Sequence, residues 1–143
     1  TKERYIKIIN EICNHPFSKV EKLIFAGYAT DPLFYEHIYD LLNECIKNNH
    51  VFGLHSKLIK INNNLIELIA GKNILKSSYI VISMDSGTPE TYNLVHEVKS
   101  KADIYTKVLK NIKNLSNHKK ITKSNLFKLN LKLKIWTNLK KLY

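Results

Sequence analysis

Arginine is nearly missing from this chain of 143 residues, with Arg4 its sole guanidinium. Arginine is the residue best suited to bidentate phosphate and base contacts, so its scarcity weighs against dedicated readout of nucleic acid. Cysteine is scarce as well. Cys13 and Cys45 stand far apart, with no CxxC and no Cys/His cluster around either. That pattern argues against a metal knuckle and a disulfide framework, and both residues read as ordinary buried thiols of helix-like segments. Only four glycines and three prolines occur, which excludes collagen-like or Pro/Gly-rich low-complexity character. Uninterrupted apolar runs are short, such as Tyr79–Ile82, against the roughly 18 residues that span a bilayer. Lys2, Glu3, Arg4 and Lys7 interrupt the first helix-like stretch, so no signal pattern is visible. The reading is a soluble, cytoplasmic protein without a membrane partner. The chain opens on Thr1 rather than Met, which suggests processing or a piece of something longer.

What is abundant is lysine, and it is unevenly placed. The formal net charge is +11, yet residues 1–115 hold 15 basic and 12 acidic side chains. From Ser116 to Tyr143 there are eight lysines and no acid. Such an end can bind phosphate backbones through counterion release. It can equally be a solvated tail or one further strand, and Phe127, Trp136 and Tyr143 are its few aromatic stacking partners.

Hydrophobic spacing then orders the chain. Tyr5, Ile8, Ile9 and Ile12 predict an amphipathic helix over residues 1–14, stopped by Asn14-His15-Pro16. Leu23–Ala26 predicts a buried strand ending at Gly27. Pro32, with Asp31 as N-cap, predicts the start of a helix running to about Asn48 with Leu33, Ile38, Leu41, Leu42 and Cys45 inward. His50–Leu54 predicts a second strand, and Leu65–Ile69 a short helix closed by Gly71. Tyr79–Asp85 predicts a third strand, and Thr88-Pro89 the cap and first position of a helix. Residues 103–115 predict a further helix, and Leu129–Ile135, alternating with period two, a fourth strand. Repeated strand–helix units imply an α/β fold with a parallel sheet and crossover helices. Ligands of such folds lie at the C-terminal ends of strands. Three polar clusters sit there: Gly27–Asp31, His55–Lys57 and Ser83–Gly87. Each also has a plain reading: Asp31 as a helix cap, Ser83 and Asp85 as strand-terminal residues, His55 as a loop histidine.

Phe25-Ala26-Gly27-Tyr28-Ala29-Thr30-Asp31-Pro32-Leu33 resembles the glycine-rich motif after the second strand in the radical S-adenosylmethionine superfamily, where an acid, a proline and a large apolar residue are usual. Gly53-Leu54-His55-Ser56-Lys57 stands, loosely, where that family often has Thr-Asn-Gly. Ile80–Tyr92, with Val81-Ile82-Ser83-Met84-Asp85 and then Pro89-Glu90-Thr91-Tyr92, is similar to its fourth strand and the following helix start, and Tyr105–Leu115 to the next helix. The resemblance covers roughly residues 1–115.

It implies a partial (β/α) TIM-like barrel fragment, with 116–143 as a Lys-rich segment holding one further strand or a tail. It implies that Gly27, Tyr28, Ala29, Thr30 and Asp31 bind the methionine amino group of S-adenosylmethionine, that Ser83 and Asp85 lie beside the cofactor, and that Ser56 or Lys57 stands near its carboxylate. The intact family cleaves S-adenosylmethionine at a 4Fe-4S cluster to a 5′-deoxyadenosyl radical that abstracts hydrogen from substrate. The CxxxCxxC that ligates the cluster is not in this chain, and Cys13 with Cys45 cannot supply three thiolates. The expectation is therefore an internal fragment, inactive alone, whose substrate is unknown. The alternative is a small basic α/β binding module contacting nucleic acid or acidic partners. A dinucleotide or P-loop enzyme is weaker, since neither GxGxxG nor GxxxxGK[ST] occurs.

Overall fold

The computed structural model describes residues 1–17, 19–71, 75, 77–97, 103–121 and 128–133, with 119–121 and 128–133 as backbone only. Helix α1 (Lys2–Asn14) leads to strand β1 (Leu23–Phe25), and a 3₁₀ turn (Pro32–Phe34) precedes α2 (Ile38–Lys47). Strand β2 (Phe52–Ser56), α3 (Asn63–Ile69), β3 (Tyr79–Met84), α4 (Pro89–Val95), α5 (Ile104–Ile121) and β4 (Lys128–Leu133) follow. The sheet order is β1-β2-β3-β4, with every neighbouring pair parallel. The expected α/β architecture is therefore present. Among the described residues no helix is long and apolar enough to cross a membrane.

Three predicted boundaries move. The helix expected from Pro32 to Asn48 is divided: Asp31 accepts from Leu33 N and starts a 3₁₀ turn, but Tyr35 is extended at φ −71°, ψ 121°. Its ring packs edge-on against Tyr5 of α1, 6.0 Å between centroids, and α2 starts three residues later. Strand β2 begins two residues after His50, so His55 and Ser56 belong to the strand itself. Its first amide, Phe52 N, donates to the buried Ser78 hydroxyl at 3.2 Å. Ala70, not Gly71, caps α3. The predicted fourth strand pairs with β3, while Lys134 and Ile135 lie outside the described residues, as does most of the Lys-rich end.

Pleating sends alternate side chains to opposite faces, so register decides which residues share a layer. Phe52, Leu54, Ile80 and Ile82 share one face, and all four are fully buried. They pack with Ile9 of α1, Leu41, Leu42 and Cys45 of α2, Leu65, Ile66 and Ile69 of α3, and Leu115 of α5. One face of the sheet thus carries α1, α2, α3 and α5 and the core they form. The other presents Ile24, Gly53, His55, Tyr79, Val81 and Ser83, none of which joins that core. Ile24 is 52% exposed there. Gly53 has a steric reason on this face, because a Cβ would stand 2.6 Å from the Tyr79 ring.

This division predicts unequal costs for deleting side chains. Leu42→Ala, which opens a cavity among fully buried neighbours, is expected to lose about 2–5 kcal/mol in chemical denaturation. Ile24→Ala, on the opposite face, is expected to lose under about 1 kcal/mol. Equal losses would refute the one-sided core.

Candidate functional site at the strand ends

The loop after β1 owes its shape to a close backbone approach. A Cβ on Gly27 would fall 1.4 Å from the Thr30 carbonyl oxygen, so a side chain cannot be accommodated there. The curl places Asp31 at the end of β1 with its carboxylate facing the end of β2. Asp31 Oδ1 accepts from Leu33 N at 2.9 Å, closing the 3₁₀ turn. The Ser56 hydroxyl donates to the same carboxylate, 2.9 Å from each oxygen, and Lys57 N donates to Oδ2. Hydrogen bonds to an ionised acceptor are the stronger kind, and three donors from two segments converge here.

The turn after β2 is held as firmly. Leu58 adopts a left-handed φ of 57°, uncommon for a residue with a bulky side chain. Its N–H donates to Ser56 Oγ at 2.8 Å, and its carbonyl accepts from Asn111 Nδ2 of α5 at 2.8 Å. Its side chain is fully buried. Backbone strain of this sort persists only where the surroundings over-determine it.

Between these two turns and the end of β3 lies a cavity of about 520 Å³. Gly27, Tyr28, Ala29, Thr30, Asp31, Ser56 and Ser83 line it, together with Phe34, His55, Lys57 and Ile59. Of the eight residues expected at the site, only Asp85 is not in the lining. Tyr28 is fully exposed at the mouth. Ser56 contributes a wall rather than a free group, since its proton goes to Asp31 and its oxygen accepts from Leu58 N. Ser83 is half-buried and makes no side-chain hydrogen bond among the described residues. A more apolar groove of about 600 Å³ lies on the other side of the same loop, lined by Tyr5, Ile24, Phe25 and Tyr35 among others. The convergent polar groups face the first cavity, which makes it the candidate site.

Asp85 faces His96 instead, with Oδ2 3.4 Å from Nε2. The pair is close but not aligned as a hydrogen bond, so Nε2 stays without one. On the other side of the ring, Nδ1 is 3.3 Å from Lys57 Nζ. His96 also packs at a tilt of 46° against Tyr92, 4.4 Å between centroids, and Tyr92 packs against Tyr105, whose hydroxyl donates to the Gly87 carbonyl at 2.6 Å. Burial holds the His96 imidazole below the usual histidine range, helped by the Lys57 ammonium and opposed by Asp85. Burial raises the Tyr92 phenol, with the Asp85 and Asp31 carboxylates adding to it. Sequence reasoning missed His96. A histidine late in a short helix carries no signal that would link it to a lysine 39 positions upstream.

The residues present do not fit an iron–sulfur cluster. Among the described residues, no group of three or more His, Cys, Asp or Glu is placed to hold a metal. Cys45 is fully buried, its thiol pushed up to about 12 by desolvation, and burial raises Cys13 as well. No family model, curated protein or solved structure matches the chain.

Two outcomes follow for this region. Ser56→Ala and Asp31→Ala are each expected to cost about 1–3 kcal/mol in denaturant unfolding, because each strands a partner. The double variant should lose less than their sum by at least ~0.5 kcal/mol, and strict additivity would show that the two do not interact. Thiol titration with a chromogenic disulfide should count one reactive cysteine in the native chain and two after denaturation. Prompt reaction of both would contradict the burial of Cys45.

Proposed function

We propose that this chain is the middle part of a (β/α) barrel core of the radical S-adenosylmethionine type, and that the strand-end cavity binds S-adenosylmethionine. The observation that carries the reading is the convergence of three successive parallel strand ends on one cavity through the residues that resemble the family's motifs. Two further observations support it. Parallel sheets are normally covered on both faces, and the face opposite the main core, where Ile24 is 52% exposed and His55, Tyr79 and Ser83 are half-buried, is one that the rest of a barrel would cover. The cavity's size falls within the range of small-molecule sites.

In this reading the packed carbonyls of the Gly27–Asp31 loop accept hydrogen bonds from the methionine ammonium, and the free Ser83 hydroxyl meets the methionine or ribose portion. Asp31 shapes the loop rather than gripping the ligand alone, because Ser56, Lys57 and Leu33 already occupy most of its acceptor capacity. When bound at a cluster, S-adenosylmethionine supplies the radical chemistry of the family. This chain's cysteines hold no such cluster, so its own residues bind and orient but do not initiate the reaction.

The test is an NMR titration of the uniformly ¹⁵N-labelled chain with millimolar S-adenosylmethionine, against methionine and ATP as competitors. Amide shifts at Gly27–Asp31 and Ser83 that methionine partly reproduces and ATP does not are the expected result. Shifts confined to the Lys-rich end, given equally by ATP and erased by moderate salt, would replace this reading with the basic binding module.

A further inference from the structure

We propose that the outer face of α5 grips the phosphate backbone of a nucleic acid through Lys107, Lys110 and Lys113, without reading its bases. No residue of α5 lines the strand-end cavity, so this surface is independent of what that cavity binds.

The lysines of α5 differ from those of the first two helices in lacking counter-charges. All three lysines of α1 and α2 sit beside a carboxylate: Lys2 by Asp40 at 2.9 Å, Lys7 by Glu11 at 3.8 Å and Lys47 by Glu44 at 3.4 Å. Lys107, Lys110 and Lys113 are exposed, and none has a carboxylate partner among the described residues. They succeed one another at i,i+3, a spacing that sets like charges on a helix side by side. Asp103, one turn before Lys107, directs its carboxylate to Thr106 N at 2.9 Å. The positions four residues after the lysines hold Asn111, Asn114 and Asn117, where acids would relieve the repulsion. Glu67 of α3 and Glu90 of α4, on the helices packed beside α5, pair with none of the three. No acid occurs anywhere from Ile104 to Tyr143. Lys107 also lies in the first turn, where the helix dipole disfavours a cation. Three cations are thus held together against their own repulsion, and an external polyanion would remove it.

The buried side of the helix fixes which way they point. Val108 and Leu115 are buried, and Asn111 Nδ2 donates to the Leu58 carbonyl at 2.8 Å. Helical geometry then turns Thr106, Lys110, Lys113 and Asn117 outward, with Lys107 and Asn114 on one flank, and all six are exposed. An amphipathic peptide or a membrane would need an apolar stripe here, and Leu109, on the other flank, is the one large apolar side chain that α5 exposes among its described residues. Ammonium, hydroxyl and carboxamide groups instead donate to phosphate and sugar oxygens. With neither arginine nor an aromatic ring on this outer face, bases are left unread.

The test measures binding of labelled oligouridine to the full chain by fluorescence anisotropy, between about 50 and about 200 mM salt. Combining Lys107→Gln, Lys110→Gln and Lys113→Gln should flatten the slope of log affinity against log salt by about 2, since each phosphate contact on a single strand contributes ~0.7. Combining Lys7→Gln, Lys19→Gln and Lys22→Gln removes the same charge far from α5 and should leave the parent's slope. Glutamine keeps helix propensity, and retained amide spectra verify both folds. The Lys-rich end is common to parent and variants, so it cancels in the comparison. Unlabelled oligodeoxycytidine of equal length should compete within about threefold of oligouridine. An α5 variant with the parent's slope, equal flattening in the control variant, or no binding by the parent would overturn the proposal. So would polyglutamate of matched charge that competes as well as oligouridine, which would assign the face to acidic proteins.

Discussion

The clasp of the Asp31 carboxylate on Ser56 and Lys57 is the interaction on which the rest of the site depends. Strands β1 and β2 are joined by hydrogen bonds only along their short ladder. Beyond that ladder the chain leaves in two separate turns with nothing in the sheet to keep them together. A carboxylate accepting from both segments replaces the missing ladder with charge-assisted bonds. It also removes Asp31 from the pool of groups free to meet a ligand. The loop that it fixes is the one in which the Thr30 carbonyl crowds Gly27, so the clasp and the cavity lining share Asp31, Ser56 and Lys57.

The sheet imposes the second constraint. Helices α1, α2, α3 and α5 gather on the face of Phe52, Leu54, Ile80 and Ile82, and hydrophobic burial there supplies the bulk of the stability. The opposite face is lined by a glycine, a histidine, a tyrosine and a serine alongside Ile24 and Val81. Val81 and Gly53 are buried there, but none of these residues belongs to the main core cluster. Polar groups collect at the C-terminal ends because backbone carbonyls and amides there have left the ladder and must find other partners. Leu58 shows how tightly that region is specified. Its backbone bonds run to Ser56 and Asn111 while its side chain is buried in the core, so the strained turn is held from three directions.

Local features were legible in the sequence, whereas contacts between distant segments were not. Thr88-Pro89 and Asp31-Pro32 signalled their caps correctly because capping is decided within three residues. The β-branched run from Tyr79 marked β3 for the same reason. The break at Tyr35 was invisible, since it depends on a ring of α1 thirty residues earlier. The start of β2 was misplaced because the apolar Val51-Phe52 pair suits either register, and the buried Ser78 hydroxyl that receives Phe52 N lies in another segment. Asp31 was recognised as a cap, but its bond to Ser56, 25 positions away, follows from the fold alone. Asp85 and Ser83 lie two apart, yet His96 draws Asp85 out of the cavity lining that Ser83 retains.

The groups left over after these internal bonds are assigned define what the cavity can complement. Asp31 is occupied by three donors, Ser56 by Asp31 and Leu58, and Asp85 is turned toward His96. What remains is the backbone of the Gly27–Asp31 loop on the β1 side, the Ser83 hydroxyl, which has no side-chain hydrogen bond among the described residues, and on the β2 side Lys57, whose ammonium is 3.3 Å from His96 Nδ1. Acceptors at one wall and a cation at another suit a ligand that carries a donor-rich positive group and an anionic group together. A neutral nucleoside would leave Lys57 without a counter-charge, and a simple polyanion would meet the carbonyl-rich loop unfavourably. A zwitterion of small-molecule size, as the proposed function has it, would meet both walls without calling on either carboxylate that first drew attention in the sequence.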